Sequence, residues 1–191
     1  MKTKWKLMVS AALLLALSPR VLADLTAFDL IKKGDKYIGD QSKDRVVQIN
    51  SERSVGSLTP NVWHVVYYDP DSTFKCVDVK MTGTGEKLDV SHPVRPFHAP
   101  TSEKEILEKS KLKIDSDKAL KLALKEPLLK NLTPQASKLS LDDGDTGPVW
   151  KVQIWVAKLK KPEAMADLGI VVLSATDGTV VKSDLHPNRA N

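Results

Sequence analysis

The sequence predicts an α+β protein of two tandem repeats, each a helix packed on a small antiparallel β-sheet. Three observations carry that expectation. Trp63-His64-Val65-Val66-Tyr67-Tyr68 in the first half matches Trp150-Lys151-Val152-Gln153-Ile154-Trp155 in the second, each reading as a strand that begins with Trp. Downstream, Val79-Lys80-Met81-Thr82-Gly83-Thr84-Gly85 corresponds to Val172-Leu173-Ser174-Ala175-Thr176-Asp177-Gly178, in each case an apolar strand entering a glycine-containing turn. Upstream of each Trp strand, apolar residues recur at helical spacing.

Residues 1–23 read as a cleaved signal peptide. Lys2, Lys4 and Lys6 precede an apolar stretch, Leu7 to Leu17, and Pro19 breaks the run before Val21-Leu22-Ala23 offers small or modest residues to a signal peptidase. Eleven residues of helix reach only about 16 Å, short of the roughly 30 Å hydrocarbon core, so the segment is an export signal rather than a span. The functional chain then begins at about Asp24 and is periplasmic or extracellular, with no membrane attachment after cleavage. The signal carries four basic residues and no acid, so its removal lowers the formal charge from +5 to +1. The apparent basicity therefore gives no support to nucleic-acid binding.

The first repeat covers 24–91. Its helix rests on Leu25, Phe28 and Ile31, with Ile38 beyond, and Gly34 weakens the pattern. A short strand, Val46 to Ile49, precedes the Trp strand. Residues 92–101 form a linker, where Pro93, Pro96 and Pro100 exclude regular structure. The second repeat covers 102–185. Ser102-Glu103-Lys104-Glu105 has capping-box spacing and opens a short helix through about Lys109. Ser116 or Asp115 then caps the main helix, whose stripe is Ala119, Leu120, Ala123 and Leu124, and which Pro127 bends or ends. A strand from Ser137 to Leu141 follows, and Lys158 to Asp167 is a longer connection than its counterpart. Residues 186–191 read as a frayed tail.

The helix Asp117-Lys118-Ala119-Leu120-Lys121-Leu122-Ala123-Leu124, the strand Val149-Trp150-Lys151-Val152 and the Asp177-Gly178 turn together resemble a PepSY domain. The first half is a more degenerate copy, with Thr84-Gly85 where the Asp-Gly pair stands in the second. The tandem layout is similar to that of secreted β-lactamase inhibitor proteins. The resemblance implies a non-catalytic protein that binds a protein or peptide partner in the cell envelope, as an inhibitor or modulator of an extracytoplasmic peptidase. It brings no catalytic residues with it.

The residues themselves show no enzymatic constellation. HExxH, G-x-S-x-G, a P-loop and CxxC are all missing, and Gly83-Thr84-Gly85 reads as a hairpin turn. Cys76, the only cysteine, lies mid-strand and reads as a buried inert thiol, the alternative being a mixed disulfide or dimer. His92 and His98 flank the linker, too few ligands for a metal site. Asp142-Asp143-Gly144-Asp145 reads as an acidic turn, lacking the alternation and distal Glu of a calcium loop. No cofactor is expected.

Strand alternation locates the candidate partner surface. Trp150, Val152, Ile154 and Val156 meet the helix, which turns Lys151, Gln153 and Trp155 to the other face; His64 and Tyr68 are their first-half counterparts. Trp155, Tyr68, His64, Lys151 and Gln153 are accordingly the expected partner-binding residues, unless the two repeats pack these faces on each other. The alternative function is a small-ligand or metal-binding envelope protein. Neither the partner's identity nor the oligomeric state follows from the sequence.

Overall fold

A computed structural model describes residues 25–84, 87–93 and 101–191. The expected signal peptide, Gly85 and His98 lie outside the described residues. Two short helices, α1 (Ala27–Gly34) and α2 (Ser116–Ala123), accompany eight strands: β1 (Val46–Ser51), β2 (Val62–Tyr68), β3 (Cys76–Thr84), β4 (Lys87–Ser91), β5 (Pro134–Gly144), β6 (Gly147–Ala157), β7 (Met165–Ser174) and β8 (Val180–Leu185). Their spatial order is β4-β3-β2-β1-β5-β6-β7-β8, and every neighbouring pair is antiparallel.

This overturns the expected fold class. Instead of two tandem helix-on-sheet repeats, one eight-stranded sheet runs through the molecule, joined where β1 meets β5. One hydrophobic cluster draws on both halves, from Leu30, Val65 and Tyr67 to Trp150, Val152 and Leu173. The physical reason is the edge of β1. A four-stranded half would leave that edge unpaired, and pairing it with β5 satisfies the backbone groups of both.

The join is short in backbone terms and is completed by serines. Ile49 pairs with Leu141 and Asn50 with Ser140. Beyond them Ser51 Oγ accepts from the Leu139 amide at 2.8 Å and Ser54 Oγ from the Ser137 amide at 2.9 Å. The Ser54 amide donates to the Ser137 carbonyl at 2.8 Å, and Ser137 Oγ to the Leu58 carbonyl at 2.6 Å. All three serines are buried. The Ser51 and Ser54 hydroxyls thus stand in for ladder acceptors that the diverging backbone no longer supplies, and the Ser137 hydroxyl ties the loop at Leu58 to the seam.

Both helices lie on the same side of the sheet, because the alternating residues Trp63, Val65 and Tyr67 of β2 and Trp150, Val152, Ile154 and Val156 of β6 are buried beneath them. Trp150 Nε1 donates to the Ile114 carbonyl at 2.7 Å, and the Phe28 and Trp150 rings lie 6.5 Å apart. In α1 the deepest residues are Ala27, Leu30 and Gly34, with Phe28 and Ile31 half-buried beside them. A side chain at Gly34 would collide with the Tyr67 hydroxyl, which donates to the Ile31 carbonyl at 3.0 Å. Burial raises the Tyr67 phenol well above its ordinary value, and nearby Asp35 adds to the effect. In α2 the buried residues are Ser116, Ala119, Leu120 and Ala123.

The helix N-termini meet. Asp115 caps α2 by accepting from the Ser116 amide at 2.7 Å, and the same Oδ1 accepts from the Phe28 amide of α1 at 3.2 Å. Ser116 Oγ accepts from the Ala27 amide at 2.9 Å. Two otherwise orphaned donors of α1 are therefore satisfied from the far half of the chain.

Other expectations also differ. Ser102 makes no capping hydrogen bond, and the region holds two 3-10 turns, Glu103–Glu105 and Lys109–Lys111, instead of one short helix. The loops 69–75 and 158–164 are equal in length, so the extra residues of the second half extend β6 and β7. Gly83 and Thr84 belong to β3. The final residues form a 3-10 turn, Pro187–Ala190, in which Ala190 is fully buried and its carbonyl accepts from the Leu159 amide at 2.7 Å. That contact replaces the expected frayed tail with a clasp on the β6–β7 end.

Asp115→Ala should lower unfolding stability by about 1–2 kcal/mol, since the carboxylate serves two helix starts at once. Asp115→Asn, which keeps an accepting oxygen, should retain most of it. Urea unfolding followed by Trp fluorescence measures both.

Candidate functional site on the open sheet face

The residues that alternate with the core project from the opposite side, and among the described residues no helix or strand covers them. One row crosses all eight strands: Ser91, Lys80, His64, Asn50, Ser140, Lys151, Val172 and Lys182. His64 and Lys151 sit in this row. Gln153 and Trp155 follow Lys151 along β6, and Tyr68 ends β2.

All five expected partner-binding residues therefore share one face, but they do not form one patch. Strands β2 and β6 run antiparallel, so Tyr68 and Trp155 extend from the row in opposite senses. At about 3.3 Å per residue they are separated by about 26 Å along the strands, plus about 14 Å across three strand spacings. Tyr68 and Trp155 occupy diagonal corners. The sequence match that made them counterparts cannot make them neighbours.

The centre of the face is a network of internal pairs. His64 Nδ1 lies 3.0 Å from Asp78 Oδ2, and its Nε2 lies 3.6 Å from Glu52 Oε1. Lys80 Nζ pairs with the same Glu52 oxygen at 2.7 Å. The Lys80 hydrogen bond, helped by Lys80 and His64 charge, holds Glu52 below the usual carboxylate range against the opposing pull of desolvation. Across the seam, Asp142 accepts from Gln48, from Ser140 Oγ at 2.9 Å, and pairs with Lys151 Nζ at 3.1 Å. Gln153 Nε2 donates to Asp167 Oδ2 at 2.6 Å.

Each corner carries an arginine on an aromatic ring. Arg45 lies 4.8 Å from the Tyr68 ring centroid, and Arg53 lies 5.6 Å from that of Trp155. Beside the Trp155 corner opens a cavity of about 410 Å³, lined by Arg53, Val55, Leu58, Pro134, Ala136 and Met165 among others. Val55 is 83% exposed and Met165 43%, so large apolar groups stand in water at its rim. Arg53, Val55 and Met165 were not singled out by sequence pattern. Arg53 and Val55 stand in the loop after β1 and Met165 opens β7, far away in the chain, and the pairing of β1 with β5 and the register of β5, β6 and β7 bring them to one corner.

The remaining chemical candidates are placed as follows. Asp142, Asp143 and Gly144 belong to β5, and the hairpin turn is Asp145-Thr146. Cys76 is half-buried at the start of β3 and lines a cavity of about 280 Å³ with Phe74, Val77 and His92. Among the described residues no group of three or more His, Cys, Asp or Glu side chains could hold a metal ion, and no helix is long and apolar enough to cross a membrane.

Comparison with known proteins adds no relative: no protein-family model, no curated protein and no solved structure matches this chain.

Lys80→Met should return Glu52 toward its ordinary value. Glu52 is depressed in the folded protein, so its stabilising contribution is present above its unfolded value and fades as pH falls through the folded one. Carboxyl titration by NMR should show the Glu52 midpoint moving up in the variant, and the stability gained between low and neutral pH should shrink, because the difference between the folded and unfolded Glu52 values that produces it is reduced.

Proposed function

We propose that this chain is an exported, non-catalytic binding protein that holds a protein or peptide partner on its open sheet face, centred on the Trp155 corner. The observation that carries the reading is the Arg53–Trp155 stack beside the 410 Å³ cavity on a face that no described element covers. Trp and Arg dominate binding hot spots, because each combines a large desolvated area with a directional polar group. A cavity of that size accommodates one or two side chains of a partner, with Val55 and Met165 as its apolar lip.

The central network supports a non-catalytic role. Both ring nitrogens of His64 are directed at carboxylates, and Lys151 and Gln153 are each bonded to an acid of the chain itself. A face so internally paired offers area and shape more than reactive groups. Tyr68, about 30 Å from Trp155 by strand geometry, contributes only to a partner long enough to cross the sheet. The resemblance to PepSY domains narrows the partner class to an extracytoplasmic peptidase or another envelope protein, which the chain inhibits or modulates.

Affinity capture from the host's envelope fraction tests this. Trp155→Ala should lower retention of the specific partner by at least about tenfold, whereas Tyr68→Ala should have a smaller effect. Equal retention by wild type and Trp155→Ala would sink the reading. A small apolar molecule in the same cavity, visible by native mass spectrometry, would favour a small-ligand role instead.

A further inference from the structure

Strand β8 is one of the two outer edges of the sheet, and among the described residues no strand pairs with its free side. Val180 to Asp184 are all exposed, including Val180 at 47% and Val181 at 56%. Exposed edges are templates for further pairing, and proteins usually blunt them with a charge or a bulge. A register shift near Val181 blunts one end of this edge. The remainder, Lys182-Ser183-Asp184, has a different character.

The hydrogen-bond phase of β8 follows from its inner side. The His186 amide donates to the Leu168 carbonyl at 2.7 Å, and Asp184 and Lys182 pair with Ile170 and Val172 in unbroken register. Antiparallel ladders alternate, so His186, Asp184 and Lys182 direct their backbone groups inward toward β7, while Ser183 and Leu185 direct theirs outward. The opposite side of β7 agrees, since the Ala175 amide bonds to the Pro148 carbonyl of β6 and places the odd residues of β7 on that side.

From this geometry we propose that β8 pairs antiparallel with β8 of a second copy of this chain, about a two-fold axis at Ser183. The two outward-facing Ser183 residues exchange both N–H···O bonds. Lys182 of each copy then stands opposite Asp184 of the other in a non-hydrogen-bonded pair, where the Cα atoms are closest, at about 4.5 Å. Both side chains lie on the open face, as their partners Val172 and Ile170 do. A lone lysine would repel a second edge lysine. A lysine and an aspartate placed symmetrically about an outward-bonding residue instead meet their opposites twice, so the sequence is self-complementary in this one register. Asp184 also lies 3.3 Å from His186 Nε2 within its own chain, a contact on the same exposed face that the pairing leaves in place. The product is a continuous sixteen-stranded sheet with both open faces on one side. This inference is independent of what occupies the Trp155 corner.

Sedimentation equilibrium of the mature protein, over concentrations from low to high micromolar, should show a monomer–dimer equilibrium that weakens with salt. Lys182→Asp alone and Asp184→Lys alone place like charges opposite each other twice, and each should weaken the dimer by about tenfold or more. The double variant Lys182→Asp/Asp184→Lys restores opposite charges and should restore dimerisation. Circular dichroism checks that each variant folds. Should one fail, hydrogen exchange of the wild-type Ser183 amide decides: its protection should rise with protein concentration. A monomer at every concentration would overturn the proposal, as would a dimer indifferent to the single reversals or a Ser183 amide that stays unprotected in the dimer. Pairing of β8 with an extended segment of a different protein, this chain itself staying monomeric, would overturn it too.

Discussion

Hydrogen bonding across the β1–β5 seam is the constraint on which the rest of the structure depends. Only two residue pairs align there as backbone partners, yet the seam must hold four strands on each side in a single sheet. Ser51, Ser54 and Ser137 extend it, each buried and each bonded across the join. A buried amide without a partner costs more than an ordinary hydrogen bond contributes, so these hydroxyls do more than add contacts. They make the closed seam the arrangement with fewest orphaned groups.

The seam then fixes what lies on each face. Joining the halves edge to edge puts α1 and α2 on one side, near enough for Asp115 and Ser116 to serve the start of α1. It also spreads the opposite side into one broad platform and sends Tyr68 and Trp155 to diagonal corners. Folding the two units face to face would have hidden those residues from any partner. The seam keeps them available, and it leaves β4 and β8 as the only outer edges of the described sheet.

Much of the local structure was legible because it has a period. Alternation along Trp150 to Val156 identifies which side chains are buried, and along Trp63 to Tyr67 it marks the residues that face the helices, although Val66 on the opposite face is buried as well; the Ala119, Leu120, Ala123 stripe marks the face of α2. The turn at Asp177-Gly178 was legible from residue type: Gly178 takes φ +80°, and Asp177 accepts from the Thr179 amide at 3.0 Å. The seam was not legible. Ser51 and Ser54 stand in a stretch rich in Ser and Gly that reads as loop, and a side-chain hydrogen bond to a strand many residues away leaves no periodic trace. The depth of α1 was hidden for a related reason, because Gly34 is buried by closeness to Tyr67 and not by hydrophobicity. At the candidate site, Trp155 announced itself as an aromatic on a polar face, whereas Arg53, Val55 and Met165 needed the sheet register to be brought beside it.

Native-state hydrogen exchange tests the seam most directly. If β1 and β5 join one cooperative sheet, the buried amides of β2 and β6 should exchange through the same global opening, and the Leu139 and Ser137 amides should be among the protected set. Ser51→Ala should then lower protection in both halves together. Independent opening of the two halves, with Leu139 and Ser137 exchanging freely while β2 or β6 stays protected, would contradict the account.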